Sequence, residues 1–167
     1  TACDLMQASV SRVGALAMLE DCLYYQGELL LADLNKYTNI LICRLLRHAI
    51  VGAENIVTTN EVTSRPFPVE QASPLAIVLF EVIENAIQYA FEDISRANYL
   101  HISLGPDQSG DSDANFRLVV RDNGPGIPPN IDPMVAPTSG LFIVASMARK
   151  LRGTINIVNK DGTVLTL

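Results

Sequence analysis

Tryptophan is absent from this 167-residue chain, histidine occurs twice and cysteine three times. The cysteines, Cys3, Cys22 and Cys43, are odd in number, lack metal-ligand spacing and sit in helical patterns, so they suit buried or idle thiols in a reducing compartment. No apolar run reaches the length of a membrane span and no signal peptide is visible, which leaves both open upstream; the expected location of this segment is the cytoplasm, without direct membrane contact. Positive charge is scarce. Twelve Lys and Arg against eighteen Asp and Glu leave −6, which argues against a general nucleic-acid or anionic-membrane surface. The one basic cluster, Arg149-Lys150-Leu151-Arg152, reads as cations at a helix C-terminus, where the dipole favours them. There is no internal repeat and no disorder signal. What remains is a chain with 49% hydrophobic residues, long enough for one well-buried domain plus a helical appendage.

The most specific local feature is Asp122-Asn123-Gly124-Pro125-Gly126, which closes the strand-like run from Phe116 to Arg121. Phe116, Leu118 and Val120 share one face at the period of 2, so Asp122 falls on the same inward face. An ionised carboxylate only accepts hydrogen bonds and is costly to bury alone, so the amine of an adenine is a fitting partner. Guanine presents an oxygen acceptor at the equivalent position and would be rejected. Gly124 and Gly126 would let backbone approach the ring or turn with positive φ. The plain alternative is a strand-ending turn without a ligand.

A helix is expected from Ser73 to Phe91, with Ser73 as N-cap and Pro74 at its first position. It is apolar almost all round, through Leu75, Val78, Leu79, Val82, Ala86 and Ile87, so polar residues set within it call for explanation. Glu81 and Asn85 are four apart and share one face, with Gln88 and Tyr89 continuing the line. A carboxylate and an amide oxygen aimed together suit a hydrated magnesium carrying phosphates, because that ion keeps several waters and takes few protein ligands. The alternative is an ordinary solvated stripe on a half-buried helix.

Elsewhere, residues 4 to 26 place Leu5, Met6, Val10, Val13, Leu16, Ala17 and Leu23 at helical spacing, with Gly27 as the stop. A second helix, from about Asp33 to Ile50, carries Leu34, Tyr37, Leu41, Leu45 and Ala49 on the side that packs on a sheet. Strands are expected at 55–63, 99–104 and 116–121, with a loop over 105–115 between the last two. Pro128, Pro129, Pro133 and Pro137 make 128–139 a loop. Gly140 then opens a helix to Leu151, a natural cradle for phosphate at its N-terminus, or else Ser139 is simply an N-cap. A hairpin around Lys160-Asp161-Gly162 closes the chain.

Glu81-x-x-x-Asn85, Asp122-x-Gly124-x-Gly126, and Ser139-Gly140-Leu141 followed by a helix and Asp161-Gly162-Thr163 resemble, in order and spacing, the ATP-binding boxes of the GHKL (Bergerat-fold) superfamily. The likeness is to the catalytic domain of a bacterial sensor histidine kinase. Pro68-Val69-Glu70-Gln71-Ala72 leading into Glu81 to Phe91, and Met18 to Tyr24, resemble one subclass of those kinases. Three features depart from its pattern. Glu20-Asp21 stand where His-Glu is usual, Gln88 and Tyr89 where a basic residue and often a histidine follow the metal-binding Asn, and Thr138 where the last box often has its first glycine. His48 and His101 lie outside any acceptor-like context, and the resemblance implies an acceptor histidine upstream of Thr1.

The expected architecture is a two-layer α/β sandwich, a mixed and mostly antiparallel sheet with helices on one face, preceded by a helical dimerisation segment. Residues 1–27 would be the end of that segment and 28–167 the ATP-binding domain. The implied function is transfer of the ATP γ-phosphoryl group to a histidine outside this segment and thence to a response-regulator receiver domain. In it Asp122 reads adenine, Gly124 and Gly126 shape the ring's wall, Asn85 holds Mg2+, Gly140 meets phosphate, Thr163 sits near adenine and Glu81 polarises the nucleophile. A homodimer through the N-terminal helix is implied. Two alternatives stay open: a degenerate adaptor or phosphotransfer module that keeps the fold but not the nucleotide, and an anti-sigma-factor serine kinase, which lacks a dimerisation helix.

Overall fold

The computed structural model describes residues 2–48, 55–91, 97–107, 115–128 and 140–167. In chain order the elements are α1 (Ala2–Glu20), β1 (Leu23–Gln26), β2 (Leu29–Ala32), α2 (Leu34–His48), β3 (Ile56–Val62), β4 (Phe67–Pro68), α3 (Val69–Tyr89), β5 (Asn98–Pro106), β6 (Phe116–Asp122), α4 (Gly140–Lys150), β7 (Asn156–Asn159) and β8 (Thr163–Thr166). A five-stranded sheet runs in the order β3-β5-β6-β8-β7; only the β3–β5 pair is parallel. The architecture is the expected mixed, mostly antiparallel sheet covered by helices. A separate three-stranded sheet, β1-β2-β4, was not foreseen.

That small sheet corrects the reading of the N-terminal segment. The helix ends at Glu20 rather than near Gly27, and Leu23–Gln26 pair antiparallel with Leu29–Ala32. Gly27, with φ +64°, lies in the hairpin turn and not at a helix end, so a division after residue 27 would cut through a hairpin. The reason is legible afterwards. Leu23-Tyr24-Tyr25 and Leu29-Leu30-Leu31 flank a Gly-Glu pair, and aromatic and apolar runs about a two-residue turn favour strands.

The long helix α3 also starts earlier than expected. It begins at Val69, after Pro68 in an extended conformation (ψ 141°), with Glu70 in its first turn, and Pro74 lies inside it. Ser73 is not the N-cap; its hydroxyl donates to the Val69 carbonyl at 2.8 Å. Pro74 lacks the amide that would reach Glu70's carbonyl, but Glu70 is exposed, so water can take that role. Leu79, Val78, Ala76 and Ile83 have no accessible surface, which fits a helix that is apolar on nearly every side.

Helix α2 is capped by Asp33, whose carboxylate accepts from the Lys36 amide at 2.9 Å. It packs against α3 and the edge strand β3: Tyr37 Oη donates to the Ala76 carbonyl at 3.1 Å and Asn35 Nδ2 to the Val62 carbonyl at 2.6 Å. Leu34, Tyr37 and Leu41 are fully buried, as their spacing implies, whereas Ala49 lies outside the described residues. The expected loop over 105–115 starts later, because β5 continues through Gly105 and Pro106, and most of the expected loop at 128–139 lies outside the described residues.

Burial pushes the Tyr37 phenol well above its ordinary range, so it remains a donor across all ordinary pH. Replacing Tyr37 with Phe keeps the ring and removes this one bond between α2 and α3. Urea unfolding should show a loss of about 1 kcal/mol with an unchanged m-value.

Candidate functional site

The period-2 pattern of β6 carries Leu118 and Val120 into the core and leaves Asp122, 8% exposed, at the strand's inner end. Its Oδ1 accepts from the Gly124 amide at 2.8 Å and from the Thr163 amide at 3.1 Å. Among the described residues both hydrogen bonds to this carboxylate use one oxygen. The other, Oδ2, is left to accept from a ligand.

Above it lies a cavity of about 640 Å³, within the range of small-molecule sites. Val82, Ala86, Val120, Leu141, Ile157 and Leu165 supply apolar lining, and Asp122, Asn85, Gln88 and Thr163 supply polar groups. An apolar slot with a carboxylate at its base fits a flat heterocycle with one amine. Gly126 has φ +79°, where a side chain is strained, and a Cβ there would meet Asn159 at 2.9 Å. Asn159 in turn clamps the loop after Gly126, accepting from the Ile127 amide at 3.0 Å and donating to its carbonyl at 2.8 Å. A Cβ on Gly124 would lie 2.5 Å from Ala90 Cα, so that glycine is required by the close approach of this loop to the end of α3. Asn123 ties the same loop to β5, through the Tyr99 amide at 2.8 Å and the Ala97 carbonyl at 3.0 Å.

The helix α4 opens directly against α3. A Cβ on Gly140 would lie 2.4 Å from Glu81 Oε2 and 3.3 Å from Asn85 Nδ2, so only glycine brings this helix start so close to both side chains. Glu81, Asn85, Asp122, Gly126, Gly140 and Thr163 therefore line one cavity, and Gly124 bonds to Asp122 beside it. His101 lies elsewhere, on β5, with Nε2 3.7 Å from Glu61 on β3. Thr138 and Ser139 fall outside the described residues.

Two cavity residues were not anticipated. Arg12 of α1 reaches across to α3, where its Nε donates to Glu81 Oε1 and its Nη2 to Glu81 Oε2 at 3.3 Å. The Glu81 side chain is 3% exposed and that of Arg12 24%, so Arg12 is the more accessible of the two. The hydrogen bond to Glu81 raises the Arg12 pKa, against the opposing effect of burial. Glu84, half-buried beside them, is raised by burial and then by the Glu81 charge, with Arg12 acting the other way. No pattern near Arg12 marks it, since its partner is sixty-nine positions away. Asn85 remains free to offer its oxygen to a cation. Among the described residues no cluster of three or more His, Cys, Asp or Glu could hold a metal, so an ion here would rest on Asn85 and the phosphates of its own ligand.

Residues 70–167 match the family model described as histidine kinase-, DNA gyrase B- and HSP90-like ATPase. The chain belongs to that family. A comparison with curated protein sequences finds no match. Among solved structures, this ATPase domain is similar in fold to the histidine kinase domain of the Erythrobacter litoralis blue-light activated histidine kinase EL346. The TM-score is 0.76 at 20% identity, over 97% of this chain and 72% of that one. It is also similar to the Acinetobacter baumannii histidine kinase AdeS, with TM-score 0.64 at 24% identity over 98% and 77%. Full-length ShkA in complex with AMPPNP gives 0.55 at 17% identity, over 96% of this chain but 34% of that one. The chain is thus a histidine-kinase-like ATPase domain of an ATP-binding family, and among its described residues no helix is long and apolar enough to cross a membrane.

The raised pKa of Glu84 has a signed consequence. A carboxyl that holds its proton more tightly when folded costs stability as pH rises from the ordinary Glu value of 4.5 through its raised folded value. Glu84→Gln should therefore melt higher than the parent at pH 7, and the difference should shrink as pH falls to the ordinary carboxylate range. Thermal melts across pH 4 to 8 would show it; a pH-independent difference would assign the effect to packing.

Proposed function

We propose that this ATPase domain is the catalytic portion of a two-component sensor histidine kinase, moving the γ-phosphoryl of Mg-ATP to an acceptor histidine other than His48 and His101. From there the phosphoryl group would pass to the receiver domain of a response regulator, in the cytoplasm. The observation that carries this reading is Asp122: nearly buried, held at one oxygen by two backbone amides, and lining a largely apolar slot. That arrangement suits the adenine amine and opposes the guanine oxygen. Thr163 stands beside it, Gly126 lines the slot, Gly124 bonds to Asp122 from behind it, and Asn85 and Gly140, on the same cavity, would serve the phosphate end.

Magnesium, held by Asn85, would supply charge neutralisation for the phosphates. Glu81 would polarise the attacking imidazole, a positioning task of the kind phosphoryl transfer chiefly demands. Its pairing with Arg12 favours the adaptor reading as the alternative, because both carboxylate oxygens already accept from the guanidinium. Calorimetry separates the two. Wild type should bind Mg-ATP and not Mg-GTP, and Asp122→Asn should weaken Mg-ATP tenfold or more, about 1.4 kcal/mol. Equal binding of ATP and GTP, or an Asp122→Asn variant as tight as its parent, would remove the site assignment, and no binding by wild type would leave the adaptor.

Helix α1, ending at Glu20, supports the dimerisation part of the reading and disfavours the serine kinase. Ala15, Met18 and Leu19 are buried within the protomer, whereas Met6, Val10 and Val13 remain 71%, 70% and 67% exposed at spacings of four and three. An apolar stripe of that period suits a partner helix from a second copy in a bundle. Val10→Glu with Val13→Glu should convert a dimer to a monomer in sedimentation without changing the melt of the ATPase domain; a wild type that sediments as a monomer at all concentrations contradicts the assignment.

A further inference from the structure

Charge accounting in the cavity leads to one residue. The acidic and basic side chains that line it are Glu81, Glu84, Asp122 and Arg12, three carboxyl groups and one guanidinium, and Arg12 is the sole cationic lining residue among the described ones. The sequence between the Gly126 loop and α4, residues 129–139, contains neither Lys nor Arg. Gln88 and Tyr89, on the last turns of α3, add no charge. An anion of several charges entering such a cavity meets net negative potential unless protein supplies a cation.

We propose that Arg12 is a phosphate-binding residue of this site, passing its guanidinium from Glu81 to the terminal phosphate of an entering nucleoside triphosphate; this rests on the nucleotide reading given above. Three observations carry it. Arg12 sits against Glu81, which itself abuts Gly140 at the start of α4, and Arg12, Asn85 and Gly140 line the same cavity. Both side chains line the cavity, but that of Arg12 is 24% exposed against 3% for Glu81, so Arg12 is the more accessible member of the pair. A planar fork that fits a carboxylate fits a phosphate equally well, and the phosphate carries more charge. The exchange also frees Glu81 to accept a hydrogen bond from a nucleophile. One residue of α1 would thereby read whether a triphosphate is present.

The test compares the chain with Arg12→Gln, Arg12→Lys and Arg12→Gln/Glu81→Gln by calorimetry, using adenosine and ATP with magnesium. Arg12→Gln should weaken ATP tenfold or more and leave adenosine unchanged, while Arg12→Lys, which keeps the charge, should recover part of the loss. The double variant removes the unpaired buried carboxylate, so it guards against misfolding and against simple repulsion by Glu81. Its ATP affinity should stay low. A full return of ATP affinity in the double variant, or equal effects on adenosine and ATP, would overturn the proposal while leaving the nucleotide site standing. If wild type binds neither ligand, the nucleotide reading itself falls and takes the proposal with it.

Discussion

The structure depends on how α3 is covered. A helix of 21 residues with apolar side chains on nearly every side cannot lie on a surface, so it needs a sheet beneath it and other helices above. The five-stranded sheet meets one side, through β6 and its neighbours. Helices α1, α2 and α4 close the other sides, with Tyr37 bonded to the Ala76 carbonyl in the centre of the helix. Complete coverage has a consequence for polar residues on α3. Glu81 is 2% exposed, and a carboxylate that deep is costly unless paired. Arg12 meets that need, which makes the site part of the packing problem.

Asp122 was legible in the sequence because strand periodicity is local: Phe116, Leu118 and Val120 fix the face, and the glycines that follow announce the turn. The pairing of Glu81 with Asn85 was legible for the same reason, being one helical turn. What was not legible is non-local or competitive. Ser73-Pro74 reads as a helix start, but Pro68, five residues earlier, begins the helix instead, and α3 tolerates the internal proline because the carbonyl it leaves unmet is at an exposed residue. Residues 21 to 26 fit a continuing helix by spacing alone, yet pairing with Leu29–Ala32 outweighs it. Tertiary pairing decides such short segments, since intrinsic preferences differ by only fractions of a kcal/mol per residue.

The same limit explains Arg12. Its neighbours in sequence, Ser11 and Val13, give it the look of a solvated helix residue, and only the three-dimensional approach of α1 to α3 turns it into a partner for Glu81. The loss of basic residues from the end of α3, where Gln88 and Tyr89 stand, reads in the sequence as a thinned phosphate site. In three dimensions Arg12 is the one cation at that cavity among the described residues, delivered from a different element.

That delivery couples two parts of the molecule which could otherwise act independently. In the arrangement described, the Arg12–Glu81 pair links α1 to the start of α4 through Gly140, which has no side chain to hold the two apart. Any ligand that draws on Arg12 or Glu81 must weaken this link, and by reciprocity any displacement of α1 must change that ligand's affinity by the same factor. The exposed stripe of α1 lies on the other side of the same helix, at Met6, Val10 and Val13. A helix with an exposed apolar face and one arginine in the cavity is placed to carry a change between them. The size of that coupling is bounded by the ion pair itself: with Arg12 about a quarter exposed, solvent screens its side of the pair, so the coupling lies at the modest end of what a buried pair can give.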